Sequence, residues 1–350
     1  MKLDKLLNDA IEKNASDIHF TVGTCPHFRI NGKLVKGAAD KLTVNDTAEF
    51  AKLILQDEFE EYEKKGEMDA TYSIAGLARF RVNIYKQRNS DSLALRTVSY
   101  KVPSIKDLDL PSNVKELALK DKGIVIVSGP NSCGKSTTCA SMINEINISR
   151  AKNIVTVENP IEFLHKHSRS VINQREVGRD IKNYESSIRS ILREDPDVIF
   201  FSDMENRSTI LAALAAAENG HLVISCMNTS GVCNTIERIV EYFSLSDREI
   251  IQARLASVLQ GVIYQQLLSK ADGEGRVAAF EIMVNNEMVQ NLIKEGKINQ
   301  IESIMQTGTR LGMQTMNMSL LELCKKNIIS KDTALNNSND SEMLDRMMLL

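Results

Sequence analysis

Residues 123–138 read GIVIVSGPNSCGKSTT, an apolar run that stops at Ser128 and opens into a Gly-x-x-x-x-Gly-Lys-Ser loop. The β-branched run predicts a strand, and Thr137 to Ile148 predicts a helix directly behind the loop. Glycines let such a loop curl until successive N–H groups face inward, and the helix adds the positive end of its dipole. The pattern therefore predicts a phosphate site made of Gly129, Pro130, Asn131, Ser132, Cys133, Gly134, Lys135, Ser136 and Thr137. Lys135 would reach the β and γ phosphates of ATP, and the Ser136 hydroxyl would hold Mg²⁺. Cys133 lies just ahead of the helix N-terminus, a setting expected to lower its pKa.

Outward from this loop, strand-like runs alternate with helical ones. Residues 123–128, 153–157, 197–201 and 221–226 read as strands, and 135–148, 182–193 and 207–218 as helices. That alternation predicts an α/β fold with a parallel sheet covered by helices. After position 245 the pattern reads as almost wholly helical apart from Ala278 to Val284.

The first hundred residues differ in character. A helix over Leu6 to Lys13 precedes short β runs at Asp17 to Phe20, His27 to Ile30 and Lys33 to Val35, with Asn31-Gly32 as a hairpin turn. Residues 44–65 return to helix, and strands follow at Thr71 to Ile74, Ala78 to Tyr85 and Ser92 to Val98. The expected organisation is a small α+β domain over 1–100, a linker over 101–112 marked by Pro103 and Pro111, and an ATPase domain over 113–350. Asn336 to Asp340, NNSND, reads as a flexible tail element.

Bulk properties narrow the function. A chain of 350 residues is long for one core. A formal charge of −3 argues against nucleic acid as the main partner. No stretch approaches the roughly 18 apolar residues of a membrane span, and the charged N-terminus lacks the apolar core of a signal peptide, so a cytoplasmic location is expected. The six cysteines form no Cys-x-x-Cys pair and read as reduced thiols.

A nucleotide loop needs carboxylates at the ends of neighbouring strands. Asp203 closes the run beginning at Asp197 and is placed to serve the Mg²⁺ shell; Glu158 closes Ile154 to Val157 and is placed to orient water. His221 starts a strand next to a helix end, where a lone histidine is as often structural as functional.

VENPIEF at 157–163, NQREVGRD at 173–180, LREDPDVI at 192–199 and AAENGHLV at 216–223 resemble the secretion ATPases of type IV pili and type II secretion, above all those of pilus retraction, or twitching motility. ASDIHF at 15–20, RINGKL at 29–34, ARFRVN at 78–83, LQGVI at 259–263 and TGTRLGMQTMNMSL at 307–320 extend the resemblance over nearly the whole chain. It implies a PAS-like N-terminal domain joined to a RecA-like P-loop ATPase domain. It also implies a homo-hexamer at the cytoplasmic face of the membrane, held there through an inner-membrane pilus platform protein. By the same resemblance Glu158 activates water, Asp203 is the second carboxylate, His221 is the first His-box histidine, and Arg81 and Arg96 reach a neighbour's γ-phosphate, with Arg79 and Arg88 as nearby alternatives.

Departures from the family pattern cluster around the nucleotide. Ser132-Cys133 stand for Gly-Ser, Asn159 for aspartate, Ser202-Asp203 for Gly-Glu, Glu205-Asn206 for Arg-Asp, Asn228 for the second histidine and Gln266 for an arginine. They leave room for a catalytically weakened, nucleotide-binding paralogue that regulates an active ring. A pilus extension or type II secretion ATPase is a third reading, one that a chain starting at the small domain and lacking a tetracysteine module is expected not to fit.

Overall fold

The computed structural model describes residues 3–30, 32–74, 78–98 and 102–349; Asn31 of the expected hairpin turn and Lys101 of the expected linker lie outside them. The chain divides into two compact units, Met1–Lys101 with Glu162–Leu164, and Val102–Ile161 with His165–Leu350.

In the smaller unit the elements run α1 (Leu3–Glu12), β1 (Asp17–Phe20), β2 (His27–Ile30), β3 (Lys33–Lys36), α2 (Val44–Leu55), α3 (Phe59–Lys65), β4 (Glu67–Ile74), β5 (Ala78–Gln87) and β6 (Ser90–Val98). The strands form an antiparallel sheet in the order β3-β2-β1-β6-β5-β4. Alternation in β5 explains its orientation. Ala78, Phe80, Val82 and Ile84 are buried, whereas Arg81 is exposed. One face of the sheet is thereby committed to the core. Leu3, Leu6, Leu7 and Ala10 of α1, with Phe50, Ala51, Ile54 and Leu55 of α2, are buried in that same core. Thr43 and Asp46 close a capping box at the start of α2.

The larger unit begins with α4 (Ser112–Ala118), β7 (Gly123–Ser128), α5 (Lys135–Ser149), β8 (Asn153–Glu158), β9 (Val171–Glu176), α6 (Tyr184–Ile191), β10 (Val198–Phe201) and α7 (Arg207–Glu218). It continues with β11 (Leu222–Met227), α8 (Val232–Glu241), α9 (Arg248–Val258), β12 (Leu259–Ser269), β13 (Arg276–Val284) and helices α10 (Glu287–Lys294), α11 (Ile301–Thr307), α12 (Met316–Lys325), α13 (Lys331–Asn336) and α14 (Ser341–Leu349). Its sheet has the order β13-β12-β7-β11-β10-β8-β9, parallel except for the edge strand β13. All six residues of β7 are buried because both faces are covered. Ile124 and Ile126 enter one core with α7, α8 and α9, while Val125 and Val127 enter the other with α4 and α5. Such a sheet places the loops after its strands on one edge, where ligands of open α/β folds bind.

Two expectations and one omission need correction. Leu259–Ser269 is a strand, not a helix, and it extends the sheet beside β7. A strand buried on both faces loses its period of two, so LQGVIYQQLLS carries no signal that separates it from a buried helix. Gly261 admits it there, since a Cβ would stand 2.7 Å from the Met283 carbonyl oxygen and 2.8 Å from Leu117. Val171–Glu176 is likewise a strand that periodicity did not reveal. The third is Asn336 to Asp340, which forms a hydrogen-bonded corner: Ser338 Oγ donates to Asn317 Oδ1 at 2.7 Å, and Asn317 Nδ2 donates to the Asp340 carbonyl at 3.0 Å. Among the described residues no helix is long and apolar enough to cross a membrane.

Candidate active site

The loop after β7 is built on three residues in the left-handed half of backbone space: Gly129 (φ 151°), Ser132 (φ 63°) and Gly134 (φ 96°). Glycine takes such angles freely; at Ser132 the Cβ costs about 1–2 kcal/mol. Gly134 caps α5, whose first turn carries Lys135, Ser136 and Thr137. Their N–H groups have no acceptor within the helix, and with the helix dipole they make an anion site. Lys135 Nζ donates to the Gly129 carbonyl at 2.8 Å, the Pro130 carbonyl at 2.9 Å and Asn228 Oδ1 at 2.7 Å, so the loop wraps its own cation.

Two carboxylates lie on the same edge of the sheet. Glu158 ends β8 and is 6% exposed, with Oε1 accepting from Thr156 Oγ1 at 2.6 Å and Gln174 Nε2 at 3.0 Å. Asp203 follows β10 by two residues. Burial, and then the charge of Glu205, push its carboxyl up to about 6, against the pull of Lys135. Ser136 is half-buried, and its hydroxyl makes no hydrogen bond among the described residues.

Other expected site residues lie elsewhere. His221 immediately precedes β11, and its carbonyl accepts from Gly123 N at the start of β7, whereas the loop follows the end of β7. In a parallel sheet these are opposite ends of the strands, so His221 does not join the site of its own chain. Its Nδ1 instead meets the Pro196 carbonyl at 2.7 Å. Arg81 and Arg96 pair across β5 and β6 of the smaller unit, both exposed.

Cys133 also departs from expectation. Its thiol is 3% exposed, and burial raises its pKa above the ordinary thiol value despite the charge of Lys135. Desolvation outweighs the helix terminus here.

Sequence reasoning missed two glutamines. Gln174 lies inside the quoted NQREVGRD and grips Glu158, and Gln265 sits in the segment read as helix. Gln265 Nε2 donates to the Cys133 carbonyl and its Oε1 accepts from Thr138 Oγ1, both at 2.7 Å.

The family model for type II/IV secretion system proteins matches residues 1–337. The chain belongs to that family. Within it, the chain is 37% identical over 344 residues to a twitching motility protein of Neisseria gonorrhoeae, covering 98% of this chain and 91% of that protein. It is 37% identical over 335 residues to the type IV pilus retraction ATPase PilT of Pseudomonas aeruginosa, covering 95% and 97%. A crystal structure of the pilus retraction motor PilT with bound ADP superposes with a TM-score of 0.91 at 41% identity, covering 99% of this chain and all of that one.

Positions that depart from the secretion-family pattern touch one another. Ser202 Oγ accepts from Asn159 N at 3.1 Å and meets the Tyr184 hydroxyl at 2.9 Å. Asn228 accepts from Lys135 and donates to Glu205 Oε1. Four of the departures, Asn159 with Ser202 and Asn228 with Glu205, thus form two hydrogen-bonded pairs.

Proposed function

We propose that this chain is an ATP-hydrolysing motor that drives type IV pilus retraction as a homo-hexamer on the cytoplasmic face of the membrane, docked on an inner-membrane platform protein. One observation carries the reading: the loop with Lys135 and the carboxylates Glu158 and Asp203 share one edge of a parallel sheet. The ADP-bound relative at 41% identity supports it.

The residues fit a magnesium nucleotide. The loop N–H groups and the Lys135 ammonium bind phosphate oxygens. Among the described residues no cluster of three His, Cys, Asp or Glu side chains exists, so Mg²⁺ would rely on phosphate oxygens with Ser136 and Asp203. When bound, the ion neutralises charge on the transferring phosphoryl group. Glu158 orients a water and takes its proton as the oxygen attacks the γ-phosphorus, giving ADP and phosphate. Thr156 and Gln174 hold the Glu158 carboxylate in one orientation, so little ordering remains for the transition state. Arg81 and Arg96 of a neighbouring subunit supply further positive charge, a task suited to the planar guanidinium.

The strained Ser132 and the Asn228–Glu205 pair favour a second reading, a low-turnover subunit that binds nucleotide within an active ring. ATP hydrolysis by the purified protein, beside Lys135→Ala, separates the two. Turnover lost in Lys135→Ala supports the motor; binding without turnover in the native chain supports the second reading.

A further inference from the structure

Gln265 occupies the point where β12 runs past the end of β7. Pairing of the two strands stops at Tyr264 opposite Ser128, so the next residues are Gln265 on one side and Gly129, the first of the loop, on the other. The side chain is 2% exposed, and its planar carboxamide spans the first turn of α5 from the Cys133 carbonyl to the Thr138 hydroxyl. The Cys133 carbonyl fixes which way the amide faces: it can only accept, so Nε2 turns toward it and Oε1 is left for the Thr138 hydroxyl. The loop is moulded around this residue. A Cβ at Gly129 would collide with the Gln265 carbonyl, and one at Gly134 would stand 3.1 Å from Gln265 Nε2.

The carbonyl of Cys133 and the N–H of Gly134 belong to one planar trans peptide and point in opposite directions. A carbonyl drawn toward β12 therefore turns the Gly134 N–H away from β12 and toward the mouth of the loop.

We propose that Gln265 is a positioning residue for the nucleotide: its carboxamide donates to the Cys133 carbonyl and so aims the Gly134 N–H at a phosphate oxygen. The proposal rests on the reading of this loop as a nucleotide site. It assigns Gln265 to ground-state phosphate binding, not to the chemical step.

The test uses the full-length chain with Mg-ADP as probe, Gln265→Met and Gln265→Glu as variants, and Thr138→Val as control. Calorimetry gives Kd, steady-state ATP hydrolysis gives KM and kcat, and melting without nucleotide reports the fold. Gln265→Met loses both bonds at similar volume, and Gln265→Glu keeps the bond from Thr138 but cannot donate to Cys133. Both should weaken Mg-ADP and raise KM by about tenfold or more while kcat changes by less than about threefold, the signature of lost uniform binding. Thr138→Val leaves the Cys133 bond in place and should stay within about threefold in affinity even where its melting temperature falls as far. Native affinity in either folded Gln265 variant overturns the proposal, and so does a Thr138→Val loss as large as that of Gln265→Met. Failure of the native chain to bind Mg-ADP would instead overturn the nucleotide reading beneath it.

Discussion

Arg81 and Arg96 stand directly opposite each other on β5 and β6, both exposed. Like charges at such a pair destabilise a sheet, so the juxtaposition itself does not help the fold. Asp17 offsets Arg96 at 3.0 Å, while Arg81 has no ion-pair partner among the described residues. An anion from a neighbouring subunit would complete the pair. A subunit carrying Arg81→Ala and Arg96→Ala keeps Glu158, and a Glu158→Gln subunit keeps both arginines. Homogeneous rings of either should be nearly inactive. Mixed rings should recover hydrolysis, because an arginine in trans is worth about 10³ to 10⁵ in kcat. Mixed rings that coassemble, as pull-down of differently tagged subunits would show, yet stay as inactive as their parents place the arginines in a purely structural role.

Glu158→Gln should lower kcat by about two orders of magnitude or more and change KM only a few fold, because the interaction it removes belongs to the transition state. Gln174→Ala, which releases one of the bonds on Oε1, should lower kcat by roughly tenfold, a smaller loss since the carboxylate itself remains. Equal KM and kcat effects in Glu158→Gln would remove it from the chemical step.

Asp203 should set an acid limb. Burial pushes its carboxyl up to about 6, so it should take up a proton as pH falls through 6 and would then no longer serve Mg²⁺. ATP hydrolysis at fixed Mg-ATP should fall as pH drops below about 6. Glu205→Gln removes the neighbouring negative charge and should move the limb to lower pH, by less than the full shift because burial is the larger cause. A limb that stays put in both Asp203→Asn and Glu205→Gln belongs to another group.

Glu281 is buried on β13, where its Oε1 accepts from Val232 N at 2.9 Å, and burial lifts its carboxyl to about 7. A raised carboxyl pKa means the native state holds the proton more tightly than the unfolded chain. The resulting stability is present below the ordinary value of 4.5 and is lost as pH rises toward and through 7. Glu281→Gln should flatten this dependence between pH 5 and 8 and raise the melting temperature at pH 8, the effect being of order 2–3 kcal/mol. Parallel melting curves for the two proteins across that range would contradict it.

Cys133 should react slowly with a small thiol reagent at neutral pH, since its thiol is both buried and raised in pKa. Peptide mass mapping is expected to find Cys25 and Cys324, which are only half-buried, labelled first. Fast, ADP-protected labelling of Cys133 would show that the loop opens readily.

Local spacing determined the strand, loop and helix of residues 123–149, because the turn needs glycine at Gly129 and Gly134 and the flanking runs suit their elements without outside help. It also located Glu158 and Asp203, since a carboxylate that closes an apolar run must fall at a strand end. Chain order alone places His221 ahead of β11, at the far end of the sheet from the loop; the resemblance carried it into the site, and the parallel register takes it out. Only the tertiary structure decided that Leu259–Ser269 is a strand beside β7, for a segment buried on both faces hides its period. From that one placement follow the Gln265 clip and much of the packing around Cys133. Whether a thiol beside a helix terminus is activated depends on how much water reaches it, and distant segments of the chain, brought together only by folding, set that amount.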